Sequence, residues 1–494
     1  MTTVADVILE QLAAWGVKRI YGVAGEAITP ILDALNRQDH IKYVAVRHEF
    51  AAGIMASTEG KCSKHLAACL GTSGPGLVNM LNGLADASLD RIPLLVITGQ
   101  VESRKLGLEA KQYVNQQQMI APLAVYSELL THPEAITDLL ANACIAALSK
   151  RGVAHISIPK DLLSLPCHQP IRAPLGMIQR ERREALHDLD QAAIHLASAK
   201  KPMILIGEGA RESREEIETL AELIQAGIVE SLGAKGTIPF TNPYHLGGLG
   251  AGGSAGGERL LKQADCVLLV GVNWWPEGFV PSEAKLIKID LSSSHIEEQT
   301  GLTCGLVGKA FEILRLLIQR VRDFQEIHPP AREAWQALLN QTKRMMEAEL
   351  EQERALDGSP LAPPRIMAAL EKKVEEDAIL VVDTGDHTLW FNRSFRATNQ
   401  KILYSGKWRT MGYALPAALA AKLVHPDRQV IAIIGDGGFA MSMMELVTAV
   451  TYDLAITILV LNNHSLAMEK HHMMLEGFQP FGVDLVNPNF AQLA

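Results

Sequence analysis

The stretch Val430 to Asn463, VIAIIGDGGFAMSMMELVTAVTYDLAITILVLNN, limits what this chain can fold into more than any other. An apolar run, Val430 to Ile434, meets Gly435-Asp436-Gly437-Gly438, and a helical pattern follows from about Phe439 to Val450. A second apolar run, Ile456 to Leu461, ends at Asn462-Asn463. Strand, helix and strand in this order form a right-handed crossover, so the two strands are parallel. Asp436 and Asn463 then both lie just past the carboxyl ends of strands, in the crevice where open α/β sheets take their ligands. A carboxylate and an amide oxygen are hard donors suited to Mg²⁺ or Ca²⁺. The glycines let backbone approach a diphosphate at the helix N-terminus. The expected ligand is a metal–diphosphate.

Gly435-x-Gly437-x-x-Ala440 also fits a dinucleotide fingerprint. That fingerprint wants an acidic residue roughly 20 positions on to hold the ribose, whereas the second strand here ends in two asparagines. An Asp inside the glycine loop would also repel a pyrophosphate unless a cation bridged the two. Both points favour the metal-bridged diphosphate.

A chain of 494 residues has room for about three domains. A net charge of −9 argues against a nucleic-acid binder and against a polybasic membrane contact. The six cysteines are scattered with no CxxC pair, which reads as buried apolar thiols in a reducing compartment. Met1 to Gly16 reads as an amphipathic helix without the basic start of a signal peptide, and no apolar run reaches the ~18 residues of a membrane span. A cytoplasmic location is expected.

Three α/β blocks follow one another. The first, residues 1–166, carries strands over Ile41–Val46, Leu66–Leu70, Pro93–Ile97 and Ala154–Ile158. An irregular, Pro-containing linker from about Cys167 to Arg183 leads to the second block, residues 184–322, with strands over Met203–Ile206, Cys266–Val270 and Leu286–Ile289. Within it GGLGAGGSAGG, residues 247–257, is expected as a binding or crossing loop. A polar helix spans about Pro330 to Leu356, and the third block covers residues 361–494. Strands alternating with helices predict an α/β fold of three doubly wound, mostly parallel sheets.

Outside the opening stretch, Glu49 stands at the carboxyl end of a strand, where it is either a helix-start acid or a carboxylate poised against a ligand. Gly71-Thr72-Ser73-Gly74-Pro75-Gly76 follows a strand and permits close backbone approach. Asn79 and Asn82 open the next helix, and Met411 lies in a loop between polar and glycine residues. Among His48, His387, His464, His471 and His472, His464 is the best placed for acid–base work, directly after Asn463.

Taken together, His48-Glu49, the GTSGPG loop, the TMGYALPAA run around Met411 and GDGGF…NN resemble the thiamine-diphosphate-dependent 2-oxo acid enzymes, over essentially the whole chain. The resemblance implies that Asp436, Asn463 and the Ser465 carbonyl hold Mg²⁺, and that Gly435, Gly437 and Gly438 face the diphosphate. It implies that Met411 wedges the cofactor into a bent shape and that the catalytic Glu49 bonds its pyrimidine. It makes Gly25, Thr72, Ser73, Gly74 and Asn79 cofactor-binding candidates, and Gln112, in Lys111-Gln112-Tyr113, a further catalytic candidate. The cofactor carries the hard chemistry. The resemblance implies decarboxylation of a 2-oxo acid, with pyruvate first, to a hydroxyethyl (enamine) intermediate passed to an acceptor. Glu49 and the diphosphate stretch are expected to meet across a subunit interface, in a homodimer or homotetramer.

Tyr21-Gly22-Val23-Ala24-Gly25-Glu26-Ala27-Ile28 resembles the pyruvate oxidase branch more than acetolactate synthase large subunits; acetolactate-type carboligation and a non-catalytic cofactor-binding relative are the alternatives. The oxidase reading leaves room for a peripheral membrane or quinone contact. By the same resemblance the middle block is an FAD-binding domain, with Gly209, Ala210, Arg211, Lys235, Gly271, Asn273 and Asp290 as candidates, although the family's Asp-Pro is here Leu291-Ser292. Arg409 stands where the family has Gly. Relatives continue beyond the helix-like run that holds Ala494, so an incomplete third block is expected, with an unpaired strand and exposed apolar surface.

Overall fold

A computed structural model describes residues 2–63, 65–174, 186–273, 275, 278–327 and 331–494. The linker expected over Cys167–Arg183 lies partly outside them. Three sheets are present, and every strand pair with a defined register is parallel. The first has the order β2-β1-β3-β4-β6-β5, from β1 (Arg19–Gly22), β2 (Lys42–Ala45), β3 (Ala67–Gly71), β4 (Leu94–Gln100), β5 (Ala124–Leu129) and β6 (Val153–Pro159). The second runs β12-β11-β10-β7-β8-β9, from β7 (Pro202–Ile206), β8 (Gly227–Glu230), β9 (His245–Gly248), β10 (Cys266–Val270), β11 (Lys285–Asp290) and β12 (Cys304–Val307). The third is β14-β13-β15-β16, from β13 (Ile379–Val382), β14 (Lys401–Leu403), β15 (Val430–Gly435) and β16 (Thr457–Leu461).

The double winding is visible in how β7 and β10 divide their side chains. Ile204, Ile206, Leu268 and Val270 enter one core. Met203, Leu205, Val267 and Leu269, one residue out of phase, enter another on the opposite face. Strands buried on both faces read as unbroken apolar runs, which is why they were legible in the sequence. The short β1 and β14, which each begin with a charged residue, were not.

Four expectations need correction. β4 runs on through Thr98-Gly99-Gln100, past the expected end at Ile97. The helix expected to open at Asn79 starts at Pro75. The helix after β15 starts at Asp436, not near Phe439, and a 3₁₀ turn at Met443–Glu445 splits it from the helix Leu446–Thr451. Residues 247–257 are a crossing loop only in part: Gly247 and Gly248 belong to β9, and Ala255 opens a helix. All six cysteines are buried thiols. β16 is an edge strand. No described helix is long and apolar enough to cross a membrane.

By its contacts the chain divides into two compact units. One comprises Met1–Ile178, Leu380–Gly385 and Leu403–Ala494; the other comprises Gln179–Ile379 and Asp386–Ile402. Inside the first unit the helices Glu49–Ser63 and Pro75–Leu89 cross with almost no spacing. A Cβ on Gly83 would lie 2.5 Å from the Gly53 carbonyl carbon and the Ile54 nitrogen, both backbone atoms. Gly83→Ala must therefore force the helices apart, at a cost of about 1–3 kcal/mol. A fall in the unfolding midpoint of this unit checks it, and an unchanged midpoint would show that the crossing is slack.

His155, on β6, is fully buried between Thr98 Oγ1 at 2.8 Å and Ser127 Oγ at 2.9 Å. Burial lowers its pKa to about 3. The unfolded chain, with a pKa near 6.5, takes up this proton first. His155 therefore contributes stability that is complete above pH ~6.5 and is lost as pH falls toward ~3, by up to about 1.4 kcal/mol per pH unit. Urea unfolding of His155→Asn between pH 7 and 4.5 is expected to show a shallower acid loss than the parent; equal slopes would assign the acid sensitivity elsewhere.

Candidate active site

β15 and β16 pair in parallel from Ile431↔Thr457 to Gly435↔Leu461, so both strands deliver their following residues to the same sheet edge. Asp436 begins the helix after β15 and is buried. Its Oδ2 accepts the Asn487 Nδ2 hydrogen at 2.6 Å, and the same amide donates to Asn462 Oδ1 at 3.0 Å. Asn487 thus ties Asp436 to the loop after β16. Asn463 lies on the exposed side of that loop, where its Oδ1 accepts the Ser465 N–H at 3.0 Å. Phe490 packs edge-on against Phe439 with ring centroids 5.1 Å apart, which holds the Asn487 segment on the Asp436 helix.

The donor set fits a hard cation: a carboxylate, a carboxamide oxygen and a carbonyl, all oxygen. The turn beside it leaves no room for a side chain. A Cβ on Gly437 would meet Leu466 at 2.9 Å and the Met411 methyl at 3.4 Å, and one on Gly438 would meet Asp383 Oδ2 at 3.1 Å. The Met411 methyl therefore lies beside Gly437 of the glycine turn. Arg409 has φ +56° and Gly412 φ +76°. The left-handed backbone at Arg409 is one that glycine would adopt without strain.

Asp383, just after β13, was missed at the sequence level. It is fully buried and accepts backbone N–H groups from Thr384 at 2.6 Å and Ala414 at 3.2 Å. Burial pushes its pKa up to about 7, against the pull of bonds from Thr384, Gly412, Tyr413 and Ala414. It anchors the turn behind Met411.

The remaining candidates gather at the edge of the first sheet. Glu49 opens its helix and is buried, and its Oε2 accepts the Asn79 Nδ2 hydrogen at 3.0 Å. Thr72 sits where a Cβ on Gly25 would come within 2.4 Å of it, and its Oγ1 accepts the Ala27 N–H at 3.3 Å. Ser73 Oγ lies 2.9 Å from both Gln100 Oε1 and the Gln112 carbonyl, the two acceptors open to its single hydrogen. Gly74, at φ +68°, would bring a Cβ within 2.7 Å of the same carbonyl. Gln112 is thus placed beside the GTSGPG loop through its backbone, with its side chain exposed. His48 is an exposed residue whose Nδ1 accepts the Phe50 N–H at 3.1 Å, so its role is that of a helix-start cap.

Glu445 is the second missed residue. Its Oε1 accepts the N–H groups of Arg47 at 3.0 Å and His48 at 3.1 Å, and Thr448 Oγ1 donates to Oε2 at 2.6 Å. Burial raises its pKa against these bonds. It fastens the approach to Glu49 onto the segment that follows Gly438. Nothing local in the sequence marks it, because its backbone partners lie 398 and 397 positions away.

The FAD candidates form a separate strand-end surface in the second unit. Gly207, Gly209 and Gly271 stack so closely that a Cβ on Gly207 would lie 2.1 Å from the Gly271 carbonyl oxygen. The charged candidates are engaged internally. Arg211 donates to the Lys235 and Gln400 carbonyls, each at 2.9 Å; Lys235 donates to the Asn392 carbonyl at 3.0 Å; Asp290 Oδ1 lies 3.0 Å from His295 Nδ1.

Three family models match in order along the chain: the N-terminal TPP binding domain of thiamine pyrophosphate enzymes over residues 2–120, the central domain over 189–317 and the C-terminal TPP binding domain over 383–494. The thiamine pyrophosphate-containing protein YdaP of Bacillus subtilis is 33% identical over all of this chain and 85% of its own length. The acetolactate synthase isozyme 1 large subunit of Escherichia coli is 30% identical, covering 94% of this chain and 82% of its own. The pyruvate oxidase of Lactiplantibacillus plantarum is likewise 30% identical, covering 99% and 81%. These matches, over a glycine turn at Gly435–Gly438 and a Glu49–Asn79 hydrogen bond, show the family: the chain belongs to the thiamine-pyrophosphate-dependent 2-oxo acid enzymes.

Proposed function

We propose that this enzyme decarboxylates a 2-oxo acid, pyruvate foremost, and passes the remaining two-carbon unit to an acceptor, in the manner of a pyruvate oxidase. The observation that carries the reading is the Met411 methyl beside Gly437 of the Gly435–Gly438 turn, next to Asp436. That juxtaposition suits a diphosphate cofactor whose two rings must be bent toward each other. Bound thiamine diphosphate supplies the sink for the electron pair left when CO₂ departs.

The chain's own residues bind and orient. Asp436, Asn463 and the Ser465 carbonyl would hold Mg²⁺, and the glycine turn at Gly437 and Gly438 would take the diphosphate. Glu49 is buried and braced by Asn79, so its carboxyl oxygen can hold a proton against a ring nitrogen at a fixed place. Glu445 fixes the backbone that presents it. Gly25, Thr72, Ser73, Gly74 and Gln112 shape the wall on the pyrimidine side. In domain terms residues 1–166 take the pyrimidine, 361–494 the diphosphate, and 184–322 form the central domain.

Glu49 of one subunit serves the diphosphate turn of the other, in a homodimer or a pair of homodimers. Met441, Met444 and Val450 support a covered face there, since they are 60%, 62% and 81% exposed in the single chain. FAD belongs to the central domain. Gly207, Gly209 and Gly271 give the bare strand ends a dinucleotide needs, with Asn273 and Asp290 nearby in sequence. Arg211 and Lys235, committed to internal carbonyls, support that surface rather than reach a flavin.

Products from pyruvate decide between the branches. Acetate or acetyl phosphate formed only with an electron acceptor, from a yellow protein, fits the oxidase reading. Acetolactate without net oxidation would replace it with carboligation, which the acetolactate synthase relatives keep in view. Glu49→Gln is expected to leave thiamine diphosphate binding nearly intact and to slow exchange of the cofactor's C2 proton by ~100-fold or more. Unchanged exchange in deuterated buffer would refute its role. Asp436→Asn removes the anionic ligand and is expected to weaken Mg²⁺-dependent cofactor binding on the order of a hundredfold by calorimetry; equal affinity would place the metal elsewhere.

A further inference from the structure

The loop that leads into Met411 is gripped by residues for which the proposed chemistry has no use. Asp90 follows the helix Pro75–Leu89. Its Oδ2 accepts the Gly406 N–H and its Oδ1 the Lys407 N–H, both at 3.0 Å. Lys61 Nζ donates to Asp90 Oδ2 at 2.7 Å, to Asp86 Oδ2 at 2.8 Å and to the Tyr404 carbonyl at 3.1 Å. The carboxylate seats against bare backbone, since a Cβ on Gly406 would lie 2.2 Å from Asp90 Oδ1. Farther along, Asn82 Oδ1 accepts the Trp408 Nε1 hydrogen at 2.5 Å, and Asn82 Nδ2 donates to Thr410 Oγ1 at 3.1 Å.

The gripped loop combines exposure with left-handed backbone. Lys407, Trp408 and Arg409 are exposed, and Arg409 and Gly412 both take left-handed backbone. Non-glycine residues in that region cost energy and persist only where surrounding contacts over-determine them. The Asp90 bonds are charge-assisted and shielded, so they are of the stronger kind. Burial works against ionised Asp90, yet Lys61 and the two backbone N–H groups hold its carboxyl below the usual range. Burial also opposes the Lys61 charge, and Asp86 and Asp90 more than offset it.

We propose that Asp90, braced by Lys61, is a positioning residue that clamps loop 404–412 and so fixes Met411 over the diphosphate turn. It rests on the role of Met411 proposed above, and its clamp half can be tested without cofactor. Asp90→Asn puts an amide N–H against a backbone N–H while keeping the side chain's shape. Asp86→Asn serves as control: Asp86 bonds the same Lys61 and also Ser57, and among the described residues it makes no hydrogen bond to the loop.

In cofactor-free protein, trypsin is expected to cut after Lys407 or Arg409 about tenfold faster in Asp90→Asn than in the parent, the scale of one lost bond to a charged group. Asp86→Asn should change that rate by no more than about twofold, because its loss is felt in the buried cluster. Equal acceleration in both variants, or none in Asp90→Asn, overturns the clamp. With cofactor and Mg²⁺, exchange of the C2 proton should fall about tenfold in Asp90→Asn with the KM for pyruvate nearly unchanged, since the change acts on orientation rather than substrate binding. Faster cleavage with unchanged exchange overturns the link to Met411. If Asp90→Asn fails to fold, Gly406→Ala pushes a methyl onto the same carboxylate from the loop side and is expected to give both changes. Failure of the broader reading would appear separately, as absence of thiamine diphosphate binding in the parent protein.

Discussion

The crossing of the helices Glu49–Ser63 and Pro75–Leu89 is the constraint on which the rest of the first unit depends. Gly53 and Gly83 bring the two backbones together without intervening side chains. Because the helices cannot separate, polar residues along both are held in register. At one end Asn79 reaches Glu49. At the other Lys61 reaches Asp86 and Asp90. A looser crossing would leave each pair to find its partner at the expense of side-chain entropy.

That rigid pair carries charges that would be costly if left alone. Lys61, Asp86 and Glu49 are buried, as are Asp383, Asp436 and Glu445 beyond them. Each bonds a backbone or side-chain partner, as groups removed from water must. Several bonds in this network join the third block to residues hundreds of positions earlier, so polar contacts that span the sequence help to fix the orientation of the glycine turn. Glu445 and Asp90 illustrate it from opposite directions. One grips the start of the Glu49 helix from the third block, and the other grips the Met411 loop from the first.

The sequence was most legible where physics is local. Short β-rich runs placed β15, β16, β10 and β11 to within a residue, and Asp436 followed from strand-end logic. Glu49 at a helix start was equally plain, although only the resemblance distinguished a functional carboxylate from a dipole-favoured one. Asp383 had a faint signal, an acid directly after Ile379–Val382. Asn487, Glu445 and Asp90 had none. Their importance is set by partners 51, 398 and 316 positions away, and no periodicity encodes such distances. Arg211 and Lys235 show the reverse: strand-end cations that looked fit for a ligand turn out to cap carbonyls of their own unit.

Asn487 changes what an affinity at this site would mean. Its amide already donates to Asp436, so the carboxylate is not a vacant anion awaiting a cation. A metal that takes both oxygens must release that bond, worth about 1.5–3 kcal/mol when the acceptor is charged. The binding energy of such a metal would be a difference between ligation and a lost hydrogen bond, lower by roughly tenfold or more in affinity than the oxygen donors alone would give. A cation that took both oxygens would leave Asn487 only its bond to Asn462, so the hold on Asn487 would depend on whether the site is filled.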